Sequence, residues 1–255
     1  MKLYKLNEGK LEQNTKTDFK LEKEIQQLVE TNLKTLFDLE FVKTELKYKN
    51  TRFDTLCFDQ HTKSFVIIEY KNGTNYSLID QGYTYLSLLL NNKAEFVLTY
   101  NEIMNQSLKK DDIDWSQTRI IFISPEFSFY QKTSINFKNL PFELYEIFQF
   151  ENQIGIKKIS VDSDVEISSS TNSKKSNVVS KVSGEIQKYD ENYHLYKSKS
   201  RPENVIQLYK ELKQRLIEID QNIEVKFGKQ TIGFRQNRVF VDLIIYNKGI
   251  IVHPN

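Results

Sequence analysis

The chain has one cysteine, Cys57, and three histidines, His61, His194 and His253, in 255 residues. One thiol makes neither an internal disulfide nor a cysteine-type zinc site, and three scattered histidines leave little for a histidine-based one. Any metal here is held by carboxylates. Long apolar runs are missing as well: no stretch approaches 18 uncharged apolar residues, and the start MKLYKLNEGK lacks the apolar segment of a signal peptide. Neither a membrane span nor secretion is indicated, so a cytoplasmic protein with no membrane partner is expected. Arginine is scarce, six of 36 basic residues, and the net charge is only +2. That balance is compatible with a phosphate-backbone partner but falls far short of a polycationic binder. What the chain does have is apolar content, 39% hydrophobic and 13% aromatic, which supplies a core and excludes disorder throughout.

The length fits one or two domains, and a composition break favours two. Residues 161–185, VDSDVEISSSTNSKKSNVVSKVSGE, contain eight serines and no aromatic, which reads as a flexible linker between a domain at 1–160 and another at 186–255. The first domain opens with a hairpin, KLYKL and KLEQ around NEG. A helix follows with an apolar stripe of Leu21, Ile25, Leu28, Val29, Leu33 and Leu36, capped by Thr17 or Asp18. LEFVKTELKY, RFDTLCFD and SFVIIEYK read as strands, Ser77 to Leu90 as a second helix, AEFVLTY and RIIFIS as further strands, and FELYEIFQF as a strand or short helix. The expected fold is α/β, a mixed central sheet flanked by helices. In the second domain the helix VIQLYKELKQRLIEI and four strands make a small α+β unit. Lys226, Lys229, Arg235 and Arg238 surround one of its hairpins, as phosphate contacts or as charges protecting a solvated edge strand.

A hairpin with its turn at 61–64 pairs Gln60 with Phe65, Asp54 with Lys71 and Leu56 with Glu69. Side chains alternate with period two, so Asp54, Glu69 and Lys71 share one face, while Phe53, Thr55, Cys57, Val66, Ile68 and Tyr70 share the other. Carboxylates in so apolar a hairpin call for a cation, and oxygen ligands select magnesium or manganese. A plain cross-strand Asp54–Lys71 ion pair, worth about 0.2–1 kcal/mol, is the alternative, and it leaves Glu69 unexplained. On the first helix Glu22 and Asn32 fall inside the apolar stripe, whereas Glu24 and Glu30 point outward. Glu22 reads either as a site residue or as the partner of a buried lysine. On the second helix Gln81 sits one turn before Tyr85, facing inward. His61 reads as a solvated turn residue, Cys57 as core, and Trp115 as loop packing more than as a base-stacking ring.

Asp54, followed after the apolar run FVII by Glu69-Tyr70-Lys71, resembles the D…ExK signature of the PD-(D/E)XK nuclease superfamily, although Phe53 stands where the eponymous proline would. Gln81-Gly-Tyr-Thr-Tyr85 is similar to the QxxxY element of its RecB-like branch, and Glu22 to the acidic residue of its first helix. The order of elements from about 18 to 125 resembles the αβββαβ core. The wording of the chain is similar to bacterial proteins known only as uncharacterised, many with a second small domain of unknown function. The resemblance implies a restriction-endonuclease-like nuclease in which Asp54, Glu69, the Tyr70 carbonyl and Glu22 hold Mg2+, with Mn2+ as substitute. Lys71 would then act on the attacking water, and Gln81 and Tyr85 would support the site or bind DNA. The implied function is hydrolysis of DNA phosphodiester bonds in defence against foreign DNA or in repair. A catalytically idle adaptor of the same fold, binding nucleic acid or a protein partner, is the alternative. RNA is left open because nothing in the chain reads a 2′-hydroxyl, and a homodimer is compatible with such a protein.

Overall fold

A computed structural model describes residues 2–73, 77–135, 140–160, 174–197, 201–236 and 238–254. Strands β1 (Tyr4–Asn7) and β2 (Lys10–Gln13) form the expected small hairpin, its turn carrying Glu8 and Gly9 at positive φ. β3 (Lys16–Thr17) precedes helices α1 (Glu22–Thr31) and α2 (Leu33–Phe37). Three antiparallel strands follow, β4 (Glu40–Tyr48), β5 (Thr51–Asp59) and β6 (Ser64–Tyr70). Helices α3 (Leu78–Asn91) and α4 (Lys93–Met104) cross over to β7 (Arg119–Ser124), which runs parallel to β6. The short helix α5 (Phe129–Ser134) leads to β8 (Phe142–Phe150), parallel to β7, and β9 (Gln153–Lys158) folds back on β8. The resulting mixed sheet has the order β3-β8-β7-β6-β5-β4, with β9 also on β8.

Its central strands, SFVIIEY and RIIFIS, are near-continuous apolar runs because both sheet faces are covered. Ile25, Val29, Leu33 and Phe37 of α1 and α2 pack with Cys57, Val66, Ile68 and Ile121 on one face. Leu86, Leu89, Phe96 and Tyr100 of α3 and α4 pack with Leu56, Phe58, Phe65, Ile67 and Phe122 on the other. Trp115 joins this second face, its ring 5.7 Å from Phe65, and its Nε1–H donates to the Lys110 carbonyl. α3 lies so close to β8 that a Cβ at Gly82 would fall 2.6 Å from Phe142 Cε1. The fold class expected from the sequence is the one observed.

Several local expectations differ. AEFVLTY lies inside α4, because Phe96, Val97 and Tyr100 bury one helical face; a short apolar run fits either period. α1 starts after Leu21, which is exposed, and not at a cap by Thr17 or Asp18; Thr17 is instead paired in β3. The hairpin register is tighter by two residues, with Asp59 opposite Ser64 and Thr55 opposite Ile68. A shift of two preserves facing, so the set Asp54, Glu69 and Lys71 survives it. Phe53 does not join the Cys57 face: it packs against Tyr85 and Phe96. The ladder is irregular there, Glu45 taking φ 46° between the pairs Thr44–Thr55 and Leu46–Phe53.

The C-terminal unit packs α7 (Glu203–Ile219) on a four-stranded antiparallel sheet of β10 (Glu224–Phe227), β11 (Ile232–Arg235), β12 (Val239–Tyr246) and β13 (Gly249–Pro254). Val205, Ile206 and Tyr209 meet Ile232, Phe234, Val241 and Leu243 in its core. Of the stretch read as linker, 161–173 lies outside the described residues, and 174–185 is a helix, α6 (Lys174–Glu185). Val179, Val182 and Ile186 form a stripe that packs on the α3 face, a pattern hidden by the serine content around it. The C-terminal unit also docks on the first. Asp59, buried at the end of β5, is ion-paired to both Arg119 and Lys226, and His61 Nδ1 lies 3.2 Å from Asp242 Oδ1. His61 is thus covered and not solvated, Lys226 is engaged by the buried Asp59, and Arg235 pairs with the exposed Glu224 on the edge strand β10, as a charge guarding that edge would. Among the described residues no helix is long and apolar enough to cross a membrane.

Candidate functional site

β6 runs out of the sheet core as Glu69-Tyr70-Lys71, held beside β7 by the Lys71 amide donating to the Ile123 carbonyl at 2.9 Å. β5 supplies Asp54, whose Oδ2 accepts the Tyr70 N–H at 3.1 Å. Glu69 and Lys71 are only 4% and 7% exposed, and the lysine Nζ donates to Glu69 Oε1 at 2.8 Å. From α3, Gln81 Nε2 donates to the same Oε1 at 2.7 Å and to the Tyr85 hydroxyl at 2.8 Å, and that hydroxyl donates to the Arg52 carbonyl at 3.1 Å. Gln81 and Tyr85 are one turn apart and share a helical face, so α3 aims both at one carboxylate oxygen. Glu69 Oε2 is left buried without a hydrogen-bond partner.

α1 closes the site from the other face of the sheet. Glu22 Oε1 accepts the amide of Asn72, the residue after Lys71, at 2.8 Å, and Asn72 Nδ2 donates to the Phe19 carbonyl at 3.3 Å. Gln26 is buried and its Nε2 lies 3.1 Å from the Asp54 carbonyl, 3.0 Å from Thr44 Oγ1 and 2.9 Å from Glu30 Oε1. Glu30 also accepts from Thr55 Oγ1 at 2.7 Å, so it faces the sheet and not solvent. Asn32, expected in the stripe, is exposed and donates to the Leu28 carbonyl. Gln26 and Asn72 carry no motif, but Glu22, Gln26 and Glu30 recur every four residues, a polar line beside the apolar stripe.

Electrostatically the site is loaded. Burial raises the Asp54 carboxyl above its ordinary range, against the Tyr70 N–H and the Lys71 charge, and Glu22 adds to the rise. Burial and then the Asp54 charge push Glu69 up to about 7 despite Lys71 and Gln81. Two neighbouring carboxylates that resist ionisation, one with an idle buried oxygen, form a donor set that fits a hard divalent cation. Among the described residues no three of His, Cys, Asp and Glu gather as a metal cluster, so two carboxylates and backbone oxygen are the donors offered. The structure therefore brings Asp54, Glu69, Lys71, Gln81 and Tyr85 together, and links Glu22 to them through Asn72. Lys71 is ion-paired to Glu69, the carboxylate that the cross-strand alternative left unexplained. A cavity of about 230 Å³ lined by Arg119, Glu143 and Lys226 lies at the opposite end of the sheet, where those charges are already paired.

Comparison with known proteins adds the following. Residues 195–253 match a family described as a domain of unknown function, DUF5655. A protein of Haemophilus influenzae (strain ATCC 51907 / DSM 11121 / KW20 / Rd), described as uncharacterized, is 39% identical over 257 residues, spanning 100% of this chain and 83% of that protein. Among solved structures, a repair endonuclease from Pyrococcus abyssi is similar at TM-score 0.34 and 16% identity, over 52% of this chain and 50% of that one. EndoMS in a complex with double-stranded DNA is similar at TM-score 0.34 and 18% identity, over 51% of this chain and 47% of that one. The match thus spans about half the length of each solved structure.

Proposed function

We propose that this chain, which belongs to the same family as the uncharacterized Haemophilus influenzae protein, is a metal-dependent nuclease of the PD-(D/E)XK type that hydrolyses DNA phosphodiester bonds in defence or repair. The observation that carries the reading is Glu69: a buried carboxylate with one oxygen gripped by Lys71 and Gln81 and the other idle, beside Asp54. Asp54, Glu69 and the Tyr70 carbonyl would hold Mg2+ or Mn2+, with Glu22 in support; such an ion supplies Lewis-acid polarisation of a phosphate and lowers the pKa of water. Lys71 orients the attacking water and offsets charge developing on the phosphate. Gln81 and Tyr85 fix the Glu69 rotamer, so that its free oxygen stays aimed.

The test is cleavage of supercoiled plasmid, linear duplex, single-stranded DNA and RNA with Mg2+, Mn2+ or EDTA. Metal-dependent cleavage of DNA is expected, abolished in Asp54→Asn and Glu69→Gln and reduced about 100-fold or more in Lys71→Met. The idle-adaptor reading draws on one observation, that Lys71 is ion-paired to Glu69 and so offsets its charge within the protein. It takes over if the wild type binds DNA or a protein yet cuts nothing with either metal. Cleavage that persists unchanged in Lys71→Met removes the catalytic assignment of this residue.

A further inference from the structure

Phe129 and Tyr130 are 77% and 82% exposed, the two most exposed large hydrophobic side chains among the described residues. Single exposed aromatics are unremarkable in proteins, but an adjacent pair on a braced scaffold needs a reason. The scaffold is braced. Phe127, two residues before the pair, is buried in the core on the α3 side, Ser128 and Gln131 form a reciprocal capping box at 2.9 and 3.2 Å, and Gln131 is itself buried. Lys132 ties α5 to β8 through Glu146 at 2.7 Å. The two rings stand edge to face, centroids 6.0 Å apart.

Topology sets where this pair stands. β7 runs parallel to β6 with Phe122 beside Glu69 and Ile123 beside Tyr70, so the segment leaving β7 emerges at the same sheet end as Glu69 and Lys71. α5 also contacts α3, the helix carrying Gln81 and Tyr85. A surface depression at the foot of the segment is lined by Lys16, Lys157, Glu126 and the paired Lys132 and Glu146, which leaves a balance of one positive charge, enough for a single phosphate contact.

We propose that Phe129 and Tyr130 are a stacking platform for unpaired bases, and that the DNA this protein acts on carries splayed or single-stranded nucleotides next to the bond cut. The inference rests on the nuclease reading and adds the substrate class. In an intact duplex every base face is covered by its neighbours, so a ring beside the site gains stacking only from bases already, or readily, unstacked. Such stacking tolerates any sequence, since every base presents a π-face. The edge-to-face arrangement lets one ring take the base while the other buttresses it.

The experiment compares binding, in EDTA, of a fluorescent 20-base-pair blunt duplex and the same duplex with a splayed end, using Glu69→Gln protein so that cleavage cannot interfere. A preference for the splayed end is expected, falling about 10-fold when Phe129→Ala and Tyr130→Ala are added, with 2-aminopurine at the splayed position losing its quenching. Tyr130→Phe should retain the preference, because it keeps the ring. The substitutions at Phe129 and Tyr130 should leave the melting temperature of the Glu69→Gln protein unchanged, as both rings are exposed. DNA binding with no preference, or a preference that survives both alanines, overturns the platform while leaving the nuclease reading intact. Binding of neither DNA overturns the platform, and the nuclease reading is then decided by the cleavage assay with Mg2+ or Mn2+. A concentration-dependent dimer lost in the double alanine variant, without change in DNA binding, assigns the pair to a self-contact and also overturns the proposal.

Discussion

At the scale of single residues the site is under electrostatic tension that its own hydrogen bonds only partly relieve. Asp54 is raised by burial while holding one amide, that of Tyr70. Asparagine keeps an oxygen to accept that amide and removes the buried charge, so Asp54→Asn should leave the melting temperature in EDTA equal to wild type or higher. The upward shift that Mg2+ produces in wild type should vanish in the same variant. A fall of several degrees in EDTA would show that the Asp54 charge itself holds the fold. Gln26 behaves oppositely. Gln26→Leu leaves the Asp54 carbonyl, Thr44 and Glu30 short of a donor, at a cost of about 1–3 kcal/mol in urea unfolding. It should also lower cleavage at temperatures where the variant remains folded, because Asp54 loses its backbone tether. Asp54, Glu69 and Lys71 were legible in the sequence because charge in an apolar hairpin is conspicuous, whereas Gln26 was not, because glutamine on a helix is ordinary.

The elements place these residues through a few close approaches. α3 brings Gln81 and Tyr85 to Glu69 only because Gly82 lets the helix lie on the Phe142 ring. That ring sits among Tyr83 and Phe122, centroids 5.2 and 6.1 Å away, and has little room to move. Gly82→Ala would gain up to about 1 kcal/mol in helix propensity and lose about 1–3 kcal/mol to overpacking. Net destabilisation with weakened cleavage is expected, read by denaturant unfolding and the plasmid assay; a more stable, fully active variant would mean that α3 is free to lift from β8. Element type was legible wherever one period dominated, as in α1, α3, β6, β7 and all of the C-terminal unit. It failed at AEFVLTY, where seven residues fit both periods, and at Lys174–Glu185, where a stripe of Val179, Val182 and Ile186 is diluted by serine. Register erred by two and still preserved the site, since a pairing error by an even number does not by itself change which face a side chain takes.

For the whole molecule the decisive contact is where the C-terminal unit meets the end of the sheet far from Glu69. Burial would raise the Asp59 carboxyl, yet Lys226 and Arg119 together hold it well below the usual carboxylate range. Glu143 is half-buried, and Lys158 and Arg119 lower it to about 2. Both groups have folded pKa values below their unfolded ones, near 3.9 and 4.3. Their contribution to stability is therefore complete above about pH 4.5 and is lost as the pH falls through that range toward 2. Wild type should lose melting temperature steeply between pH 4.5 and 2.5. Asp59→Asn should start lower at pH 7, by about 3 kcal/mol, because Lys226 stays at the junction without its anion, and should show a shallower acid limb. Adding Lys226→Met should recover part of the loss at pH 7, since the uncompensated charge is then gone. An acid limb as steep in Asp59→Asn as in wild type would place the acid sensitivity elsewhere, and a double variant no better than the single would mean that Lys226 and Asp59 are not coupled across the junction.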